Sequence, residues 1–201
     1  MLGESERENH MPHTISDPMP RTLAFIVLWS LFLIPIGCET ESPWDTSFRE
    51  AQTNIDQGNY AFAEGLLLDI LPQAEIWGET DKRLAGVLYS LGEIYRRQDQ
   101  LTKAEPFFWR ALPIWAKSVG AEHPEMATTL VGLARVYQAR QEYNKAEPLI
   151  KQALKIREKA FGVDHPDIAQ TLEEYSSLLL LMNREAEAQK LHARRETILA
   201  K

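Results

Sequence analysis

The side chains best suited to chemistry are five histidines, one cysteine and a set of arginines and glutamates at helical spacing. His123 and His165 each stand between an acidic residue and a proline, in Glu122-His123-Pro124 and Asp164-His165-Pro166. A histidine beside a carboxylate could ligate a divalent metal or form an acid–base pair. These two lie 42 positions apart, one per turn-like segment, so they do not converge on one ion. His10 and His13 precede an apolar run, and His192 is alone in the last stretch. There is no glycine-rich phosphate loop, no Gly-x-Ser-x-Gly and no His-Glu-x-x-His. The reading is a non-enzymatic protein with no metal and no cofactor. A single cysteine, Cys38, leaves no intrachain disulfide and no thiolate zinc site.

Composition narrows the classes further. The net charge of −7 offers no basic excess to neutralise phosphates, which argues against nucleic acid as a partner. Hydrophobic content of 44% with 25% charged residues is ordinary for a folded chain of 201 residues.

The elements that position these residues come from an internal repeat. Shifting Ala85–Met126 forward by 42 places matches Ala127–Ile168 at 15 of 42 positions without a gap. Lys103-Ala104-Glu105-Pro106 returns as Lys145-Ala146-Glu147-Pro148, and His123-Pro124 returns as His165-Pro166. A fixed period of this size marks a repeat array. Residues 44–201 read as eight helices in four hairpins, in units of about 44–79, 80–122, 123–164 and 165–201. The expected pairs are Trp44–Gln57 with Tyr60–Ile76, and Thr80–Arg97 with Leu101–Ser118. Pro124–Arg140 with Tyr143–Ala160 follow, then Pro166–Met182 with Arg184–Ala200. Leu84, Leu88, Leu91 and Tyr95 line one helical face, as do Leu130, Leu133, Val136 and Tyr137 one repeat on. Gly92, Ala104 and Ala111, then Ala134, Ala146 and Ala153, supply the small side chains that a close helix crossing requires.

Between units, Gly120 and Gly162 are placed to take positive φ after a helix. Pro124 and Pro166 enter at the first helical position, and His123 and His165 fall at the cap. Pro72 and Pro113 lie inside second helices and are expected to bend or end them.

The N-terminal part has a different character. Residues 22–37, TLAFIVLWSLFLIPIG, carry no charge, follow Arg21 and end at Cys38. That is short for a membrane-spanning helix, which needs about 20 residues, and suits the apolar region of a secretory signal. Ile36-Gly37-Cys38 resembles a bacterial lipoprotein signal, in which the cysteine is lipidated and becomes the mature N-terminus; Pro35 departs from that pattern. Residues 1–18 are polar and acidic, and a start at Met19 gives a normal positive region and apolar core. The expected layout is a signal over 19–37, a linker over 38–43 and the array over 44–201. The expected location is a bacterial envelope membrane, on the periplasmic or exterior side, with an uncleaved N-terminal anchor as the alternative.

Leu91-Gly92…Tyr95 and Leu133-Ala134…Tyr137, followed by Ala104…Phe108…Ala111 and Ala146…Ile150…Ala153, resemble the tetratricopeptide repeat. The usual unit is about 34 residues. The longer unit here, with Gly-x-[Glu/Asp]-His-Pro between hairpins, is similar to the kinesin light chain type. The resemblance implies an all-α, right-handed α-solenoid whose first helices line a concave groove taking a protein or peptide. On the family's pattern the groove-facing positions are Tyr89, Glu93, Arg96 and Arg97, then Arg135 and Gln138, then Glu173 and Ser177. The asparagine common before the Leu-Ala pair is absent, since Tyr89-Ser90, Val131-Gly132 and Glu173-Glu174 stand there. The Lys/Asn carboxylate clamp is absent too. Arg96, Arg97 and Arg135 read either as a solvated polar face or as an arginine-lined groove for an acidic or carboxylate-ended segment. Trp109 and Trp115, on a second helix, are expected on the convex side, packed on the next repeat or offering a second contact surface. A self-associating envelope protein is the other functional class these features allow; the charged final helix suits a terminal cap.

Overall fold

The structure is a computed structural model describing residues 42–200. The apolar run, Cys38 and every expectation attached to residues 1–41 lie outside the described residues. Among the described residues there are eight helices and no strands. They are α1 Pro43–Asp56, α2 Tyr60–Trp77, α3 Lys82–Arg97, α4 Leu101–Ser118, α5 Pro124–Ala139, α6 Tyr143–Phe161, α7 Pro166–Leu181 and α8 Glu185–Leu199. Each odd helix packs antiparallel on the even helix after it, and each hairpin stacks on the next.

Two alternating turn designs punctuate the array. The first helix of every hairpin is capped by a side chain: Ser42, Asp81, His123 and His165 each accept a backbone N–H of the first turn. His123 Nδ1 accepts from Glu125 N at 3.3 Å, and His165 Nδ1 from Asp167 N at 3.2 Å. Such caps satisfy donors that a helix start leaves orphaned. Asp81 accepts from Arg83 N at 2.9 Å, so α3 begins at Lys82, two residues after the expected Thr80. Within each hairpin the chain reverses through one left-handed residue: Gly58, Asp99, Gln141 and Asn183. The next residue's N–H then reaches back to close the first helix, as Gln100 N does to Tyr95 O at 2.8 Å. That backbone closure replaces side-chain caps on the second helices, which show none. Gly120 and Gly162 take φ of 103° and 92°, as their place after a helix requires.

The expected core faces are buried: Leu84, Leu88 and Leu91 on α3, and Leu130, Leu133 and Val136 on α5. Full burial of one such side chain is worth about 1.5–3 kcal/mol. Phe108 of α4 is wholly enclosed, wedged between Gly92 of α3 and Gly132 of α5. Ile168, Leu172 and Ile198 make a small separate cluster in the last hairpin.

Neither Pro72 nor Pro113 ends its helix. α2 continues past Pro72 to Trp77, and α4 past Pro113 to Ser118. Both prolines are exposed, as are Leu68 and Trp109 four residues earlier, whose carbonyls lose their helical donors. A carbonyl on an exposed helix face is within reach of solvent, which lowers the cost of the missing N–H.

Adjacent hairpins are also pinned by a repeated polar clamp. Tyr95 Oη donates to Glu64 Oε1 at 2.6 Å, Tyr137 Oη to Glu105 Oε1 at 2.7 Å, and Tyr175 Oη to Glu147 Oε1 at 3.0 Å. Each bond joins the first helix of one hairpin to the second helix of the hairpin before. Lys103, Lys145 and Lys151 lie over the same tyrosine rings at 5.4, 5.3 and 5.9 Å.

Candidate functional site

Curvature follows from which helices touch. The first helices α1, α3, α5 and α7 contact one another in succession, whereas the second helices do not. The array therefore curves toward its first helices, and they form its inner face. The side chains they turn inward set what that face can bind.

The inner face carries a cavity of about 530 Å³. Its walls come from α1 (Trp44, Phe48, Gln52), α3 (Arg83, Gly86, Tyr89), the end of α4 (Trp115) and the start of α5 (Glu125). Gly86 makes room for it: a Cβ there would stand 3.3 Å from the Phe48 ring. Trp44 stacks on Phe48 with centroids 5.3 Å apart and meets Trp77 edge-on at 5.1 Å. The Arg83 guanidinium lies over Trp77 at 3.4 Å and grips Asp81 with Nε at 3.0 Å and Nη2 at 2.6 Å. Through that grip Arg83 holds the Asp81 carboxyl below its ordinary value. Gln52 Nε2 donates to Ser90 Oγ at 2.6 Å, which itself donates to Gly86 O at 2.8 Å. The Trp115 indole is buried, and its Nε1–H has no hydrogen-bond partner among the described residues.

Deeper in the same face lies a charged layer. Glu93 is only 5% exposed. Arg96 donates to it through Nε at 3.0 Å and Nη2 at 2.9 Å, and Arg97 Nε lies 3.5 Å away. Burial pushes the Glu93 carboxyl up, but the Arg96 hydrogen bonds and the charges of Arg96, Arg135 and Arg97 outweigh it and hold it low. Arg135 of α5 pairs with Glu174 of α7, and that bond raises the guanidinium above its ordinary value. Tyr89 packs edge-on against Phe108 at 5.8 Å, and burial, then the Glu93 charge, pushes its hydroxyl up to about 12.

Of the positions named from the repeat pattern, Tyr89, Glu93, Arg96, Arg97 and Arg135 form this layer. Gln138 is half-buried in the last turn of α5. Glu173 is exposed and paired to Arg195 of α8 at 3.1 Å, and Ser177 is half-buried on α7. The charges of Arg96, Arg97 and Arg135 are thus already answered from within the chain, which weakens their pull on an acidic segment.

Single positions in the sequence do not disclose the aromatic cavity. The expectation that Trp115 lies on the convex side, drawn from its place on a second helix, is corrected: it is 7% exposed and walls the inner cavity. Trp109 does face outward, 48% exposed, with Nε1 donating to Tyr137 Oη at 3.3 Å. The signal that separates them is register. Trp115 stands six residues after Trp109, so a helix with 3.6 residues per turn points the two to different sides. Among the described residues no three His, Cys, Asp or Glu side chains cluster to hold a metal, and no helix is long and apolar enough to cross a membrane.

Comparison with known proteins agrees with this geometry. A tetratricopeptide repeat family model matches residues 83–159 and 125–201. No curated protein shows a significant match. Among solved structures, a variant of a Podosopora anserina putative kinesin light chain with nearly identical TPR-like repeats superposes with a TM-score of 0.67. It shares 22% identity over 89% of this chain and 83% of its own length. BtubC (BKLC) from P. vanneervenii gives 0.71 at 19% identity, over 78% of this chain and 63% of that one. MamA gives 0.58 at 17% identity, covering 79% of each. At these identities the likeness speaks for the fold. The family model, by contrast, accounts for residues 83–201, more than half of the sequence, and on that basis the chain belongs to the tetratricopeptide repeat family.

Proposed function

We propose that this chain is a non-enzymatic interaction scaffold that offers its inner face to a protein or peptide partner. We further propose that residues 19–37 are a signal and that Cys38, lipidated at the mature N-terminus, tethers the chain to a bacterial envelope membrane. The observation that carries the binding role is the aromatic-walled cavity on the first helices. Apolar walls with a few fixed polar groups suit an anchor side chain from a partner, and a few such anchors supply most of the affinity in an interface. A preformed array adds to this by sparing the partner the cost of ordering the site.

The test is site-specific cross-linking in the full chain from a probe at Gln52, comparing the native sequence with Glu125→Trp. Glu125 is an exposed rim position, so the substitution fills the cavity without touching the core. We expect at least a tenfold loss of cross-linked partner, equivalent to about 1.4 kcal/mol; undiminished capture would sink the groove reading. The tether has its own readout. Cys38→Ser should abolish incorporation of labelled fatty acid, and a native chain that takes up no label removes that part.

A further inference from the structure

Arg157 occupies in α6 the repeat position that Trp115 holds in α4, 42 residues earlier. Where the indole walls the aromatic cavity, the guanidinium reaches between α5 and α7. Nη2 donates to Thr128 Oγ1 at 3.2 Å, and Nη1 donates to Thr171 Oγ1. Thr128 sends its own hydroxyl hydrogen to Pro124 O, also at 3.2 Å, so it serves the arginine as an acceptor. A guanidinium has five N–H donors and these two bonds use two of them; Arg157 is half-buried, and none of its nitrogens is both buried and without a partner among the described residues.

Its charge has no close partner. Among the described residues no carboxylate lies within pairing distance of Arg157, whereas Arg83, Arg96, Arg135 and Arg140 each hold one. Burial pushes Arg157 below its ordinary value. The charges that act on it from further off are the carboxylates of Asp167 and Glu125, at the first turns of α7 and α5, and the like charge of Arg135. The Tyr89 hydroxyl, too, makes no hydrogen bond among the described residues. Packing does not explain the choice, because an uncharged tryptophan fills the same position one repeat earlier. A half-buried cation held in place by neutral hydroxyls carries a desolvation cost that an incoming anion offsets.

We infer that Arg157, fixed by Thr128 and Thr171, is an oxyanion site on the inner face that takes one carboxylate or phosphate group. The planar fork of N–H donors matches two oxygens of such a group at once. The placement on the groove rests on the inner face being the binding face. The anion is either a free small ion or a group carried on a docked segment, and the chemistry at Arg157 is the same.

The experiment titrates the full chain with inorganic phosphate and, separately, with a hexaglutamate peptide, at ionic strength held constant with chloride. Arginine side-chain N–H resonances and the melting midpoint are followed for the native chain, Arg157→Gln and a control, Arg110→Gln, on the outer face. Saturable binding by the native chain and the control, weakened about tenfold or more in Arg157→Gln, is expected. Should Arg157→Gln fail to fold, the native chain still decides. Its Arg157 resonance, identified by its loss in Arg157→Lys, must move with phosphate and stay still with chloride. A native chain that binds neither probe, or an Arg157→Gln chain that binds as well as the native one, overturns the site. Hexaglutamate binding more tightly than phosphate assigns the anion to a docked segment, and the reverse order assigns it to a free ion. If Glu125→Trp abolishes partner capture while Arg157→Gln leaves anion binding intact, the scaffold stands and the oxyanion site falls. Anion binding at Arg157 with partner capture unchanged by Glu125→Trp has the opposite meaning.

Discussion

At the residue scale, space decides what chemistry alone leaves open. Gly132 and Gly65 are both glycines inside helices, and alanine is favoured over glycine there by about 1 kcal/mol. A Cβ at Gly132 would stand 2.7 Å from Phe108 Cε1 and 3.3 Å from Glu93 Oε1, whereas one at Gly65 meets nothing within 4 Å. Forced overpacking costs about 1–3 kcal/mol. Gly132→Ala should therefore lower the denaturation midpoint, and Gly65→Ala should raise it, as urea titration would show; a gain at Gly132 would mean that Phe108 is free to shift. The histidines teach the complementary lesson. His123 and His165 are legible as caps because a proline follows each, and a helix that starts with proline needs an acceptor just before it. Arg157 is not legible in that way, because its meaning depends on no carboxylate of the described residues coming within pairing distance of it.

At the scale of elements, the Lys-Ala-Glu-Pro segment acquires a purpose that its recurrence does not disclose. Ala104 and Ala146 permit the close crossing, and the glutamate, one helix before its partner tyrosine, joins successive hairpins. Glu105 serves Tyr137 and Arg140 together, so its two bonds form a network rather than a pair. A double-mutant cycle between Tyr137→Phe and Glu105→Gln should show a coupling of about 0.5–1.5 kcal/mol, the worth of one hydrogen bond to a charged group discounted for exposure. Strict additivity in thermal or urea unfolding would show that the clamp contributes nothing to hairpin stacking. The prolines at 72 and 113 belong to the same scale. Spacing identifies them as internal, and exposure on the outer face decides that the helices run through them.

At the scale of the whole molecule, the clamps and the buried Glu93 layer share one electrostatic consequence. Glu147 is held to about 2 by the Lys151 hydrogen bond, with further help from Arg184 and Tyr175, against an ordinary value of 4.5. Glu93 and Glu105 are lowered in the same direction. Folded values below unfolded ones mean that the unfolded chain binds more protons in the intervening window, so stability there rises with pH. The contribution is present above about 4.5 and is lost as pH falls toward about 2. Urea midpoints should stay level from neutral pH down to about 5 and then drop, and Glu147→Gln should shallow that drop. An unchanged acid slope in the variant would remove Glu147 from the account.

The sequence by itself determined the architecture. A 42-residue period, small residues at the crossings and leucines three and four apart leave helical hairpins as the one arrangement that buries those faces. It also determined the turns, because glycine, proline and capping side chains act on their immediate neighbours. The repeat pattern could likewise nominate inward positions such as Tyr89 and Arg135, since periodicity along a helix is a local property. Only the tertiary structure decided which charges are spent and which are free. Arg135 meets Glu174 across 39 positions of sequence, while Trp115 and Arg157 are turned inward from second helices to different surroundings. Local signals specify backbone conformation within a few residues. The balance of charge and the shape of a cavity are sums over side chains that only stacking brings together, and they depend on each partner's distance and desolvation.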